Sequence, residues 1–203
     1  AVTQTLENAI DKNQLAQALL FCGPRGVGKT SCARILAKKV NSQGLKNPQE
    51  DFAFNIFELD AASNNSVDDI RSLNEKVRIP PHIGTYKIYI IDEVHMLSIG
   101  AFNAFLKTLE EPPKHVIFIL ATTEKQKIIP TILSRCQTFD FKRISTMDCS
   151  RHLQKIAQDQ NVIFEDEALD LISQKADGAL RDALSIYDRM ISFTDRNLTV
   201  KSI

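Results

Sequence analysis

Apolar runs of strand length alternate with amphipathic stretches between Ala16 and Phe141. This alternation is typical of a parallel sheet whose strands are joined by crossover helices, because strands covered on both faces read as continuous apolar runs. The pattern therefore predicts an α/β domain with a five-stranded parallel sheet. The predicted strands are 18–22, 55–59, 87–92, 116–122 and 138–141.

Helical periodicity fills the intervals between these strands. Ser66 and Asp69 have the spacing of a capping box, which satisfies free backbone N–H groups at the start of a helix. The Pro112-Pro113 pair ends another helix, because proline has no N–H to donate. The opening residues share an apolar face, and further helices are predicted over 30–40, 66–77 and 96–109.

The strand pattern stops after Arg143. Three amphipathic stretches follow, separated by turn residues that include Gly178. We therefore expect two domains, a P-loop-type α/β domain over 1–143 and a small three-helix domain over 144–203. The three predicted helices are 147–158, 165–176 and 180–193.

Composition narrows the class of protein. Hydrophobic residues make up 43% and charged residues 25%, which excludes a disordered chain. Lys+Arg and Asp+Glu are equal at 25 each, so any contact with nucleic acid must be local. The longest apolar runs fall short of the roughly 20 residues that span a bilayer. The four cysteines lack C-x-x-C spacing. We expect a cytoplasmic protein with no membrane contact.

The chain opens inside a predicted helix and without an initiator methionine. We therefore expect it to be a piece of a longer protein.

Residues 23–30 read Gly-Pro-Arg-Gly-Val-Gly-Lys-Thr and fit the phosphate-binding pattern G-x-x-x-x-G-K-[ST]. The motif follows a predicted strand and precedes a predicted helix, as its mechanism requires. The glycines let backbone N–H groups point at phosphate oxygens, Lys29 faces the β and γ phosphates, and Thr30 offers a hydroxyl to Mg²⁺. The alternative is a glycine turn with a solvated lysine.

Asp92 and Glu93 end an apolar predicted strand. Side chains alternate along a strand, so we expect the two carboxylates to point differently and to divide their roles. Asp92 would support hydrated Mg²⁺, and Glu93 would polarise an attacking water. The alternative is a solvated turn at the end of a strand.

Two arginines are candidates for stabilising transition-state charge. Arg135 follows the fourth predicted strand, and Arg181 opens a helix of the second domain. An isolated arginine more often makes a surface salt bridge. Thr122 and Thr123 end the fourth strand, where they could sense a γ-phosphate or simply cap the strand.

Six stretches together resemble the gamma/tau family of bacterial DNA polymerase III clamp-loader subunits, which are AAA+ ATPases. The resemblance covers essentially the whole chain in order. The stretches are Gly-Pro-Arg-Gly-Val-Gly-Lys-Thr-Ser (23–31), Glu-Leu-Asp-Ala-Ala-Ser-Asn-Asn (58–65), Tyr-Ile-Ile-Asp-Glu-Val-His-Met-Leu-Ser (89–98), Leu-Lys-Thr-Leu-Glu-Glu-Pro-Pro (106–113), Leu-Ala-Thr-Thr-Glu (120–124) and Ile-Leu-Ser-Arg-Cys-Gln (132–137).

The resemblance implies specific roles for these residues. It makes Thr123 the sensor 1 residue, Arg135 an arginine finger acting on a neighbouring subunit, and Arg181 the sensor 2 residue of the lid. The implied catalytic set is Lys29, Asp92, Glu93, Thr123, Arg135 and Arg181, and the implied Mg²⁺ ligands are Thr30 and Asp92. The implied nucleotide-binding set is Gly23, Pro24, Arg25, Gly26, Val27, Gly28, Lys29, Thr30, Ser31 and Arg181.

The resemblance also implies cofactors and partners. The family binds ATP and Mg²⁺ between the P-loop domain and a three-helix lid. It assembles into a five-subunit loader that places a sliding clamp on primer-template DNA. The family usually carries a four-cysteine zinc module before the Glu-Leu-Asp strand. Residues 41–54 of this chain contain no cysteine, so we expect no zinc.

Two other readings remain open. A related subunit can keep the fold as a binding module without hydrolysing ATP. The chain could also be another AAA+ machine of DNA metabolism, such as a Holliday-junction motor or an archaeal or eukaryotic small loader subunit.

Overall fold

The computed structural model describes residues 2–42, 52–82, 84–194 and 196–202. The chain forms two compact units. The first unit comprises Ala1–Gly23 and Lys29–Phe141, and the second comprises Pro24–Gly28 and Lys142–Ile203. The change of unit after Phe141 lies two residues before the boundary that the sequence predicts at Arg143.

The first unit alternates strands and helices as the sequence pattern predicts. Its elements in chain order are α1 (Val2–Asp11), β1 (Ala18–Cys22), α2 (Lys29–Ser42), β2 (Ile56–Asp60), α3 (Val67–Val77), β3 (Lys87–Asp92), α4 (Ile99–Glu110), β4 (Val116–Thr122), α5 (Pro130–Leu133) and β5 (Gln137–Asp140). Strands β1, β3 and β4 have the predicted bounds. Strands β2 and β5 are each displaced by one residue.

The five strands form one parallel sheet in the order β2-β3-β4-β1-β5. Strand β4 lies between β3 and β1, and Cys22 is in register with Thr122. Because neighbouring parallel strands end at the same edge, the residues that follow β1, β3 and β4 are brought together there. This edge carries the candidate site, as is usual for open α/β sheets.

Both faces of the sheet are buried at its three inner strands, β1, β3 and β4. On one face Leu20, Tyr89 and Phe118 pack against α3 and α4, where the rings of Phe105 and Phe118 meet edge to face with centroids 5.1 Å apart. The other face packs against α1 and α2. Residues at odd and even positions along β1, β3 and β4 therefore belong to opposite apolar layers, which explains the continuous apolar run in the interior of each strand.

Two helix starts show how local sequence sets the boundaries. The Ser66 hydroxyl accepts the Asp69 N–H, and the Asp69 carboxylate accepts the Ser66 N–H, which confirms the capping box. Helix α4 begins at Ile99 and not at Met96, because residues 94–96 form a 3₁₀ turn and Ser98 caps the helix.

The second unit contains the three predicted helices. It also contains a short parallel pair of strands, β6 (Ile163–Phe164) and β7 (Asn197–Leu198), that the sequence analysis did not predict. Each strand has only two residues, too few for a period-two pattern to be recognised. The elements are α6 (Thr146–Asp159), β6 (Ile163–Phe164), α7 (Asp166–Lys175), α8 (Leu180–Phe193) and β7 (Asn197–Leu198).

The helices of the second unit enclose a separate apolar core. Leu153, Leu169, Ile172 and Tyr187 are fully buried in it. Among the helices of the described ranges, none combines the length and apolar character needed to cross a bilayer.

Candidate nucleotide-binding site

The phosphate-binding loop starts at Gly23, directly after β1. Gly23 N–H donates to the Thr122 carbonyl oxygen at 3.2 Å, and Phe141 N–H donates to the Cys22 carbonyl oxygen at 2.7 Å. The φ of Gly23 is +149°, and a Cβ at this position would overlap the Phe141 carbonyl oxygen. Only glycine allows the chain to leave the sheet here.

Lys29 is the first residue of α2, and its side chain turns back towards the start of the loop. Its Nζ donates to the Gly23 carbonyl oxygen at 2.9 Å, and the residue is 6% exposed. Burial lowers the pKa of Lys29, while the charges of Glu93 and Asp92 oppose that change. A buried ammonium group at the base of this loop favours an anionic ligand.

Thr30 and Asp92 bring two oxygen atoms together at the start of α2. Thr30 Oγ1 donates to Asp92 Oδ2 at 2.7 Å. A hydroxyl beside a carboxylate is a pair of oxygen ligands of the kind that Mg²⁺ prefers. These two residues therefore fit the metal-binding role that the sequence analysis predicts for them.

Glu93 does not continue β3. The strand ends at Asp92, and Glu93 adopts a left-handed backbone conformation with φ 47° before the 3₁₀ turn. Its N–H donates to Asp92 Oδ1 at 2.9 Å. The expected divergence of the two carboxylates therefore arises from a left-handed turn and not from strand alternation.

The carboxylate of Glu93 contacts the end of β4. Thr123 Oγ1 donates to Glu93 Oε2 at 3.1 Å. The structure thus joins Lys29, Thr30, Asp92, Glu93 and Thr123 at one edge of the sheet.

The sequence analysis did not single out His95, whose Nδ1 lies 3.0 Å from Thr122 Oγ1. The available signals were its position two residues after Glu93 and its place in the quoted stretch 89–98.

Arg135 is placed between α5 and β5, apart from this group. Its Nη2 donates to Glu110 Oε1 at 2.6 Å, and its Nη1 donates to the Thr131 carbonyl oxygen at 2.7 Å. Within the described ranges, no hydrogen bond or ion pair links Arg135 to Lys29 or Asp92. The sequence analysis did not identify Glu110 as its partner, although Glu110 lies in the quoted Leu-Glu-Glu-Pro-Pro stretch.

Arg181 belongs to the second unit, which also includes residues 24–28 of the phosphate-binding loop. Arg181 N–H donates to the Gly26 carbonyl oxygen at 3.2 Å. The φ of Gly26 is +77°, and a Cβ there would lie 3.0 Å from the Ala179 Cβ. The backbone at Arg181 is therefore in direct contact with the tip of the loop.

Two family profiles together match almost the whole chain. One, described as DNA polymerase III, delta subunit, matches residues 1–145. The other, described as DNA polymerase III clamp loader subunit, ATPase lid domain, matches residues 148–196. The chain belongs to the clamp-loader subunit family of DNA polymerase III.

Relatives of this clamp-loader chain are tau and gamma subunits, which confirms the resemblance drawn from the motifs. The tau subunit of Bacillus subtilis strain 168 is 50% identical over 98% of this chain and 38% of its own length. The tau/gamma subunit of Haemophilus influenzae is 43% identical over 98% of this chain and 30% of its own length. The clamp-loader chain thus spans well under half the length of these relatives.

Solved structures confirm the AAA+ fold. The RuvB Holliday-junction branch-migration motor of Thermotoga maritima matches with a TM-score of 0.74 over 99% of this chain and 64% of RuvB. Its sequence identity is only 19%, so the likeness shows the fold alone. The much higher identity to tau subunits favours the clamp-loader reading over a Holliday-junction motor.

Membership in this family implies nucleotide binding. Within the described residues, no group of three or more His, Cys, Asp or Glu side chains could hold a metal ion. Most of the segment on which the zinc prediction depends, residues 43–51, lies outside the described ranges. The expectation of no zinc stays a prediction.

Proposed function

We propose that the chain is the ATP-binding and ATP-hydrolysing part of a motor subunit in the bacterial DNA polymerase III clamp loader. One observation carries this proposal. The phosphate-loop hydroxyl of Thr30 lies 2.7 Å from Asp92, whose neighbour Glu93 faces the end of β4. A phosphate loop, an oxygen pair for a metal and a separate carboxylate are the parts that phosphoryl transfer to water requires.

The loop from Gly23 to Ser31 would hold the phosphates of ATP. Backbone N–H groups of residues 25–28 and the N-terminus of α2 would donate to phosphate oxygens, with Lys29 as the balancing charge. Thr30 and Asp92 would hold Mg²⁺. When bound, this ion would neutralise negative charge on the phosphates. Arg181, beside Gly26, would contact the nucleotide as the sensor 2 residue.

Hydrolysis would use Glu93 as the general base. Glu93 accepts a proton from water as the water oxygen forms a bond to the γ-phosphorus, and the bond to the bridging oxygen of ADP breaks. Thr123, hydrogen-bonded to Glu93, would act as sensor 1. Arg135 would stabilise transition-state charge at the site of a neighbouring subunit.

Clamp loading itself would require partners. We expect a five-subunit assembly that uses ATP binding to open a sliding clamp and place it on primer-template DNA. The intact set Lys29, Thr30, Asp92 and Glu93 favours this motor over a pure binding module.

The test is an ATPase assay on the full-length subunit with its loader partners, with and without clamp and primed DNA. Stimulation by both supports the proposal. Glu93→Gln keeps the shape of the side chain and loses the base, so it should retain ATP and lose hydrolysis by about 10²-fold to 10⁴-fold. Unchanged turnover in that variant, or no stimulation of the wild type, would contradict the proposed function.

A further inference from the structure

The imidazole of His95 connects the ends of β3 and β4. Its side chain is 6% exposed. Nδ1 lies 3.0 Å from Thr122 Oγ1 and 3.4 Å from Glu93 Oε2. Nε2 lies 3.3 Å from Glu124 Oε1. Each ring nitrogen of this nearly buried histidine therefore faces the polar side chain of a residue at the end of β3 or β4.

Glu124 anchors the outer side of the ring. Its backbone N–H donates to Thr122 Oγ1 at 3.0 Å, and its Oε1 accepts from Lys127 Nζ at 2.9 Å. The hydrogen bond from Lys127 lowers the pKa of Glu124, so the group is an acceptor at neutral pH. Glu124 therefore offers an acceptor to Nε2, and a ring that donates from both nitrogens would contact Glu93 and Glu124 together.

Glu93 is a residue that needs external support. Its left-handed backbone is unfavourable for a residue with a side chain, and its carboxylate is carried on a flexible stem. The described contacts hold the carboxylate at Oε2, where Thr123 Oγ1 donates at 3.1 Å and His95 Nδ1 lies 3.4 Å away. Thr123 and His95 therefore flank the same carboxylate oxygen of Glu93.

We propose that His95 is a positioning residue that holds Glu93 in place for general-base catalysis by bridging it to Thr122 and Glu124 at the end of β4. This inference rests on the proposed function of Glu93. It predicts that loss of His95 lowers the rate of the chemical step while nucleotide binding is preserved. Orientation of a reacting group typically contributes on the order of 10-fold to 100-fold in rate.

The experiment compares His95→Ala, His95→Asn and His95→Gln in the full-length subunit within the assembled loader. Asn places an amide near the position of Nδ1, whereas Gln reaches towards the position of Nε2. We expect His95→Asn to retain most of kcat, and His95→Ala and His95→Gln to lose on the order of 10-fold to 100-fold. The dissociation constant for ATP should change by less than about twofold, because the phosphate contacts of Lys29 are untouched.

His115→Ala is the matched control. His115 belongs to the same unit, and its Nε2 lies 3.0 Å from the Val77 carbonyl oxygen. Among the described contacts, none joins His115 to Glu93. We expect this variant to lower the melting temperature without lowering kcat. If His95→Ala lowers only the melting temperature, or if Gln rescues kcat and Asn does not, the inference is wrong.

A double-variant cycle separates the inference from the proposed function. In the Glu93→Gln background, His95→Ala should cause no further loss of hydrolysis, because its effect passes through Glu93. Full additivity of the two losses would overturn the inference and leave the proposed function intact. Normal turnover in Glu93→Gln alone would overturn the proposed function first.

Discussion

The Arg135 guanidinium donates to the Glu110 carboxylate at 2.6 Å, and this ion pair joins the segment before β5 to the last residue of α4. A second nitrogen of Arg135 is held by the Thr131 carbonyl oxygen. The arginine is thus oriented by its own domain. Nη1 also donates to Ser134 Oγ at 3.3 Å, and the guanidinium keeps further N–H groups for a phosphate.

Glu110→Gln tests whether this ion pair prepares Arg135 for its role. We expect hydrolysis by the assembled loader to fall by up to about 5-fold, which corresponds to the ~1 kcal/mol of an exposed ion pair. ATP affinity should not change. The control is Glu111→Gln, which removes the adjacent carboxylate and leaves the Arg135 ion pair in place. If both variants lose hydrolysis rate equally, the Glu110 ion pair does not specifically prepare Arg135 for its role.

Arg135→Ala tests the finger directly. The variant should bind ATP normally and lose about 10³-fold to 10⁵-fold in hydrolysis rate within the assembled loader. Dilute wild-type chain alone should bind nucleotide and turn over very slowly, because the finger of a neighbour is missing.

A mixing experiment decides whether Arg135 acts in trans. A subunit with Lys29→Ala and intact Arg135 is placed beside a subunit with Arg135→Ala and an intact phosphate loop. Hydrolysis should be restored. If sedimentation shows that the subunits assemble and hydrolysis is still absent, Arg135 acts in cis or is only structural.

Lys29→Ala should nearly abolish nucleotide binding. The variant removes the buried ammonium that faces the β and γ phosphates, and we expect ATP affinity to fall about 100-fold, equivalent to ~3 kcal/mol. Calorimetric titration measures the loss. Lys38→Ala, which removes an exposed lysine from the same helix, is the control and should bind ATP normally. Unchanged affinity in Lys29→Ala would contradict the site assignment.

Stability should fall in alkaline solution. Burial raises the pKa of the thiols of Cys22 and Cys136 from 9.0 to about 11. Between these values the unfolded chain releases the thiol protons and the folded chain keeps them, so the free energy of unfolding decreases as pH rises. Lys29, whose pKa is lowered, contributes with the opposite sign.

Denaturant titrations from pH 7 upward measure this decline, which should begin near pH 9 as the unfolded thiols ionise. A Cys22→Ala/Cys136→Ala double variant should lose stability less steeply over the same range. An identical slope in the double variant would show that the thiols do not contribute.

Local patterns in the sequence determined most of the secondary structure and the phosphate loop. Strands β1, β3 and β4 could be predicted because each contains a continuous apolar run that is buried on both faces of the sheet. The capping box at Ser66 and the Gly23–Thr30 motif are also local, since their function depends on residues a few positions apart. The resemblance of the six quoted stretches to a known family then gave the expected role of each site residue.

The tertiary structure decided which distant residues meet. The order β2-β3-β4-β1-β5 places β4 between β3 and β1, and the pairing of β3 with β4 brings Thr123 to Glu93 and His95 to Thr122. Likewise, the Arg135–Glu110 pair depends on how α4 and α5 pack. The β6–β7 pair was missed because two-residue strands carry no period of their own. A sequence pattern reports the periodicity of one segment, whereas these contacts depend on chain packing between segments far apart in sequence.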